Sequence, residues 1–347
     1  MRGAVADIYE RIKDSHKYLM KKRVAIVYGG YQSEAAVSAR SKDGLMGMMD
    51  TNRYELIPVE ISRTGWTAHY KGSPHPIVRD DFSFLSDGER IGFDIAYITI
   101  HGVPGENGLL PAYFEMIGQK HSTCPSLTGA MTFDKFVCNS YLRGFGFDVA
   151  DSMRVRRGQT VDVDAIVERM GLPMFIKPAA AGSSFGVTKV KTREQVLPAL
   201  AAAHQESEFA MVEAFMKGTE LTCGLYKTGR RTVVLPLTEV VTTNEFFDTD
   251  AKYTPGKTQE ITPARVGDDV AERVRRAATE IYDLMNMRGI VRIDFIVRRD
   301  GTPFVLEVNT TPGQTSTSFI PQQIRAAGMA EADVFSEVME DIMSHDN

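Results

Sequence analysis

Apolar residues recur along the chain with two periods, and the change from one to the other marks out the elements. From Arg23 the run V24-A-I-V-Y is continuously apolar, the pattern of a strand buried on both faces. A Gly29-Gly30 turn follows, then helical spacing from about Glu34 to Met49 with Ser33 as the expected N-cap. Strands are predicted over Tyr54 to Ile61 and over F93-D-I-A-Y-I-T-I100, the latter running straight into the loop H101-G-V-P-G-E-N-G108. Strand, loop and helix alternate, so the first hundred residues predict an α/β, doubly wound unit. Near Ser122 to Thr132 the composition turns small and turn-forming, and a helix is predicted from about Phe133 to Phe145.

Further on, M174-F-I-K-P-A-A-A-G-S-S-F-G-V-T-K-V190 reads as a strand, a Gly/Ser-rich loop and a returning strand, followed by a helix from Thr192 to about His204. Another unit is expected from Phe209, with strands at Glu220 to Tyr226 and Thr232 to Val241. Residues 244–260 are polar and rich in turn formers; so long a loop inside a compact domain is usually functional, often an active-site lid. Val334, Phe335, Val338, Met339, Ile342 and Met343 follow helical spacing, which predicts packing rather than chemistry at that end. The expected division is an N-terminal extension over 1–22, read as a short amphipathic helix, and units over 23–122, 123–208 and 209–347.

The stretch R288-G-I-V-R-I-D-F-I-V-R-R-D-G-T-P-F-V-L-E-V-N-T-T-P-G313 alternates apolar and polar residues on either side of Asp300-Gly301, a strong hairpin signal. Counting outward pairs Ile296 with Val305, Asp294 with Glu307 and Arg292 with Asn309. Side chains on one face repeat every second residue, so Arg292, Asp294, Glu307 and Asn309 share a face. Like charges directly opposite are destabilising, so something positive is required between the two carboxylates. The all-oxygen donor set suits Mg²⁺ and phosphate-bearing substrates better than zinc.

Composition narrows the class. The 347 residues are 43% hydrophobic and 24% charged, ordinary for a soluble protein of two or three domains. Cys124, Cys138 and Cys223 are widely spaced, which argues against a disulfide framework or a zinc site and fits a reducing cytoplasm. A net charge of −5 supplies no global basic field for nucleic acid. No apolar run approaches the roughly 20 residues that cross a bilayer, and no signal or transit peptide is recognisable, so neither membrane nor export is expected.

Several groups then become candidates. Gly182-Ser183-Ser184-Phe185-Gly186 lets backbone N–H groups approach a phosphate, and Lys177, at the end of an apolar strand, must be solvated, paired or aimed at an anion. Gly29-Gly30-Tyr31-Gln32-Ser33-Glu34 lacks the third glycine of a dinucleotide fingerprint, and Gly256-Lys257-Thr258 lacks both the first glycine and the preceding strand of a phosphate-binding loop. Glu34, at a helix start, is either a first-turn acid or a carboxylate that grips an ammonium group. His101 lies on a carboxyl-end loop, where α/β domains place ligands. Glu213 and Glu220 are either surface acids or receivers of a nucleotide's ribose hydroxyls and neighbouring groups.

In order along the chain, G-G-Y-Q-S-E-A-A-V-S38, I-H-G-V-P-G-E-N-G-L-L110, K-P-A-A-A-G-S-S-F-G186, F-D-T-D-A-K-Y253, R-I-D-F295 and L-E-V-N-T-T-P-G-Q-T-S-T-S318 resemble the ATP-grasp superfamily and, within it, the D-alanine:D-alanine ligase family. The resemblance runs from about Arg23 to the C-terminal helix. It implies an ATP-grasp fold behind an N-terminal substrate domain, in a cytoplasmic enzyme of peptidoglycan precursor synthesis. By that resemblance Asp294, Glu307 and Asn309 hold two Mg²⁺ ions, for which Mn²⁺ can substitute. Lys135 and Lys177 reach ATP phosphates, Glu213 and Glu220 bind the adenosine, Ser184 lies in the phosphate-covering loop, and Lys252 approaches the γ-phosphate. Glu34 holds the first D-alanine's ammonium group beside His101, and Glu34, Ser183 and Tyr253 form a hydrogen-bonded trio. Ser318 receives the second D-alanine's carboxylate, and Arg292 with the Gly313 N–H stabilises the oxyanion. Tyr253 favours the dipeptide over D-alanyl-D-lactate, and relatives are commonly homodimers.

Phe247, Gln314 and Pro111-Ala112 depart from the usual family pattern, which has tyrosine, methionine and Gln-Gly there. These departures bear on substrate affinity rather than on the reaction. The alternatives are a ligase with another acceptor, such as D-lactate or D-serine, and a non-catalytic nucleotide-binding regulator.

Overall fold

The computed structural model describes residues 21–32, 34–182, 185–242 and 258–345. Strand β1 (Lys22–Gly29) buries Val24, Ala25, Ile26 and Val27 completely, and helix α1 (Ala35–Met48) follows it, burying Ser38, Ser41 and Leu45. Parallel to β1 lies β2 (Tyr54–Ile61), which continues into an antiparallel meander of β3 (Trp66–Tyr70), β4 (Ser73–Val78), β5 (Ser83–Ser86) and β6 (Glu89–Ile91). On the other side of β1 runs β7 (Ile95–Ile98), also parallel. The parallel trio β2-β1-β7 is the predicted α/β unit. The meander is an addition: its strands are too short for period-two counting, although Lys71-Gly72 and Asp87-Gly88 both take the left-handed φ values that tight hairpins require.

Helices α2 (Leu109–Ile117), α3 (Ser126–Phe133) and α4 (Lys135–Gly144) follow. The helix expected from about Phe133 to Phe145 is α4, and it starts at Lys135 because Asp134 is extended and its Oδ1 accepts from the N–H groups of Phe136 (3.0 Å) and Val137 (3.1 Å) as an N-cap. Of the small residues before it, those from Ser126 onward are helical instead of turn-forming. They permit close packing: a Cβ at Gly129 would lie 3.1 Å from the Glu106 carbonyl oxygen.

A second, antiparallel sheet in the order β10-β9-β11-β8 contains β8 (Ser152–Arg156), β9 (Met174–Pro178), β10 (Thr188–Val190) and β11 (Phe209–Ala214), with α5 (Val163–Met170) and α6 (Val196–Glu206) between its strands in sequence. Because β11 pairs with β8 and β9, the chain leaves this sheet after Ala214, and a division between 208 and 209 would cut the sheet. Cys124, Cys138 and Leu142, expected in the middle unit, pack with the third sheet's Leu221, Ile293 and Phe295.

That third sheet comprises β12 (Thr219–Lys227), β13 (Thr232–Val234), β14 (Thr238–Thr242), β15 (Thr258–Ile261), β16 (Val291–Val297) and β17 (Pro303–Asn309). The strand expected over Thr232 to Val241 is divided between β13 and β14, with Pro236, which has no N–H for a ladder, in the gap. Helix α7 (Asp268–Leu284) buries Ala271, Val274, Ala278, Ile281 and Tyr282 along one stripe. After α8 (Phe319–Ala326), helix α9 (Glu331–Ser344) buries Val334, Phe335, Val338 and Met339 as the periodicity predicts, in one cluster with Val24, Ile26 and Tyr97 of the first sheet.

In the β16–β17 hairpin, Asp294 faces Glu307 and Arg292 faces Asn309, whereas Ile296 faces Phe304 and not Val305. Two irregularities cancel. The turn closes over three residues, with Arg298 N donating to Thr302 O at 3.0 Å and Gly301 at φ 80°, which moves the pairing by one position. A bulge between Asp294 and Phe295, where Leu306 is the extra residue, moves it back.

Candidate active site

The opposed carboxylates have their positive charge from the protein itself. Arg292 grips Asp294 in a fork, Nε to Oδ1 at 2.9 Å and Nη2 to Oδ2 at 2.9 Å, and its Nη2 lies 3.8 Å from Glu307 Oε1. Lys135 Nζ stands 3.4 Å from Glu307 Oε2, and Thr222 on β12 donates to Asp294 Oδ1 at 2.6 Å. Asn309 Nδ2 donates to Asp294 Oδ2 at 3.1 Å, so its carbonyl oxygen is the atom left for a cation. Among the described residues no three His, Cys, Asp or Glu side chains converge. The donor set is therefore two carboxylates and an amide, which fits a hard divalent ion completed by phosphate oxygens and water.

Lys177 and Glu213 form a buried pair, Nζ to Oε2 at 2.7 Å, with Lys177 6% and Glu213 2% exposed. Both come from the second sheet, where Met211 on β11 is the register partner of Lys177 on β9. The second oxygen of Glu213 is buried with no hydrogen-bond partner among the described residues, although Glu213 lines the cavity. An acceptor left over at a cavity wall is one that a ligand's amine or hydroxyl can satisfy. Glu220 lines the same cavity, whose apolar wall includes Phe175, Phe215, Ile296 and Leu306.

From the first unit, at the start of α1 and in the loop after β7, come Glu34 and His101. Glu34 is buried at the start of α1, packed so closely on the backbone that a Cβ at Gly182 would lie 2.5 Å from both of its carboxylate oxygens. His101 is held at Nε2 by Ser41 Oγ at 3.1 Å, and burial together with the nearby Arg292 charge pushes it down to about 4, so the imidazole is neutral near pH 7. Lys135 Nζ also donates to the Ala181 carbonyl at 2.7 Å, which ties α4 to the Gly/Ser loop. Ser318 Oγ accepts from Thr315 N at 3.0 Å, and a Cβ at Gly313 would meet that hydroxyl at 3.0 Å.

These groups surround one cavity of about 830 Å³ lined by α1 and the loop after β7 together with the second and third sheets. Glu34, His101, Lys135, Lys177, Glu213, Glu220, Arg292, Asp294, Glu307, Asn309, Gly313 and Ser318 all line it. Ser183, Ser184, Lys252 and Tyr253 lie outside the described residues, as do Ser33 and Phe247.

Two contributors escaped the sequence reading. Glu106, in the loop after β7, accepts from Gly102 N at 2.6 Å, and burial beside the Glu34 carboxylate pushes it up to about 8. It belongs to the same H-G-V-P-G-E-N-G motif as His101, which was the available signal. Thr222 had none, because only the antiparallel pairing of β12 with β16 sets it against Asp294.

Family models described as D-ala D-ala ligase N-terminus and D-ala D-ala ligase C-terminus match residues 23–124 and 141–340. The chain belongs to the D-alanine:D-alanine ligase family. The D-alanine--D-alanine ligase of Phocaeicola vulgatus is 53% identical over 92% of this chain and 99% of its own length, and that of Bacteroides fragilis is 52% identical over the same shares. Among solved structures, a D-Ala:D-Ser ligase from Enterococcus faecalis matches with a TM-score of 0.81 at 27% identity, over 93% of this chain and 100% of its own. D-alanyl-alanine synthetase A from Vibrio cholerae matches in fold with a TM-score of 0.84 at 24% identity, over 94% of this chain and 99% of its own. The family's fold is ATP-grasp and its members are ligases of peptidoglycan synthesis. No helix among the described residues is long and apolar enough to cross a membrane.

Proposed function

We propose that this chain joins two D-alanines into D-alanyl-D-alanine at the expense of ATP, releasing ADP and phosphate. The observation that carries the reading is the Asp294, Glu307, Arg292 and Lys135 cluster facing the buried Glu34 carboxylate across one cavity. A carboxylate is a poor electrophile, so the first D-alanine is phosphorylated before an amine can attack it. Glu34 holds that substrate's ammonium group beside neutral His101. Lys135 and Lys177 offset phosphate charge, and Glu213 and Glu220 receive the adenosine. Asp294, Glu307 and Asn309 would hold two Mg²⁺ ions, or Mn²⁺ in their place, which when bound neutralise the charge on the transferring phosphoryl group.

The amine of the second D-alanine attacks the acyl phosphate in its neutral form. Arg292 and the Gly313 N–H meet the tetrahedral oxyanion, Ser318 receives the acceptor's carboxylate, and phosphate leaves. Lys252 and Tyr253 belong to the lid, and Ser183 and Ser184 to the phosphate loop, that exclude water from a hydrolysable intermediate. We assign the enzyme to the cytoplasm as a homodimer acting on small molecules only.

The test is phosphate release from ATP with D-alanine, D-lactate, D-serine and L-alanine, with and without Mg²⁺. Release that requires D-alanine and Mg²⁺, and is lost in a folded Glu307→Gln variant, is the expected result. A folded protein that ignores D-alanine refutes the reading. The structural likeness to a D-Ala:D-Ser ligase makes D-serine the second acceptor to compare.

A further inference from the structure

The segment Gly313–Ser318 lies in neither strand nor helix, yet Gly313, Thr315, Thr317 and Ser318 all line the cavity. Its middle is anchored by the first sheet. The Gln314 side chain is 4% exposed and donates Nε2 to the Tyr97 hydroxyl at 3.0 Å, itself buried on β7. The backbone of the segment rests on α1: a Cβ at Gly44 would lie 2.5 Å from Gln314 O and 3.0 Å from Thr315 Cα. The two elements that grip Gln314 are the same two that present the other half of the site, since Glu34 opens α1 and His101 follows β7.

The grip is costly. Gln314 Oε1 is buried with no hydrogen-bond partner among the described residues, and a methionine of similar length would fill the space without that penalty. What methionine lacks is direction: an apolar side chain slides, whereas the Nε2 to hydroxyl bond fixes the segment relative to β7.

We infer that Gln314 is a positioning residue: held by Tyr97 and seated on Gly44, it sets the Gly313 N–H and the Ser318 hydroxyl at a fixed distance from the groups held by Glu34 and His101. The inference rests on the ligase reading above. It explains how acceptor-side groups on an irregular segment are kept in register with donor-side groups on a different sheet, where displacement of about 1 Å is enough to cost up to roughly a hundredfold in rate.

The experiment compares Gln314→Met, Tyr97→Phe and their double variant, with Gly44→Ala as a backbone probe that leaves the side-chain bond in place. Each is measured for kcat and for the KM of ATP and of acceptor D-alanine, with donor saturating, and for urea stability. Both single variants should lose about tenfold in kcat over acceptor KM with the KM of ATP unchanged. The double variant, which removes both buried polar groups, should recover stability and keep the kinetic loss. Gly44→Ala should show the same kinetic split. Wild-type kinetics in the double variant, or losses that follow stability and reach ATP equally, would overturn the inference; if Tyr97→Phe does not fold, Gln314→Met alone decides on the same criteria. Failure of the ligase reading is distinguishable, because the wild-type protein would then release no phosphate with D-alanine.

Discussion

Replacing Lys177 by methionine removes the only charge within hydrogen-bond distance of Glu213 among the described residues, 2.7 Å from its Oε2. The carboxylate that remains is 2% exposed, and its other oxygen has no partner among the described residues. Although it borders the cavity, the carboxylate is almost wholly shielded, so breaking the pair should destabilise the protein by about 3–5 kcal/mol, most of it the penalty of an uncompensated buried charge. Removing both charges should be far milder: Lys177→Met with Glu213→Leu keeps the volume and leaves nothing to desolvate, so its stability should return to within about 1 kcal/mol of wild type. Urea unfolding followed by circular dichroism, on the two variants and the wild type in one buffer, measures both quantities. Phosphate release should be lost in both variants, separating the site's role in nucleotide binding from its role in holding the sheet. A loss below about 1 kcal/mol in Lys177→Met, or a double variant as unstable as the single, would refute the reasoning.

Glu106 has its folded pKa raised by burial and by Glu34, so the folded state holds a proton that the unfolded chain has released. Stability from this group is therefore full below pH 4.5 and is lost as pH rises toward about 8; Glu106→Gln should gain stability relative to wild type across that window and level off above it, as read from unfolding at a series of pH values. Gly182→Ala should displace the Glu34 carboxylate, whose two oxygens lie 2.5 Å from the new Cβ, raising the KM for donor D-alanine while stability changes little. An unchanged donor KM would show that Glu34 does not hold this substrate. Asp134→Ala removes the N-cap of α4 and should cost about 1 kcal/mol in unfolding, with a further loss of activity because Lys135 is the helix's first residue.

Much of the site was legible because its chemistry is local. His101 follows one apolar strand, and Lys177 lies at the end of another. Asp294 and Glu307 lie on a hairpin whose faces can be counted, and even there the count reached the correct pair only because a three-residue turn and a bulge offset each other. The division into units was less legible: β11 reads as the start of a new run, but its hydrogen-bonding partners lie in the strands before it. Helix α3 hid behind small residues that serve close packing instead of turns.

The sequence by itself determined which chemical groups exist and which of them share a face, since side-chain direction follows from periods of two and 3.6 along the chain. That was enough to demand a cation between two carboxylates and to mark Glu34, Lys177 and Arg292 as candidates. Only the tertiary structure decided what fills each demand. Arg292 and Lys135 neutralise the carboxylates, Glu213 pairs with Lys177, Thr222 reaches Asp294 from another strand, and Tyr97 anchors Gln314 from another sheet. Apart from those that Arg292 makes within its own hairpin, these contacts join residues 36 to 217 positions apart. Local periodicity carries no information about which distant surfaces pack together; burial of the shared apolar cores does.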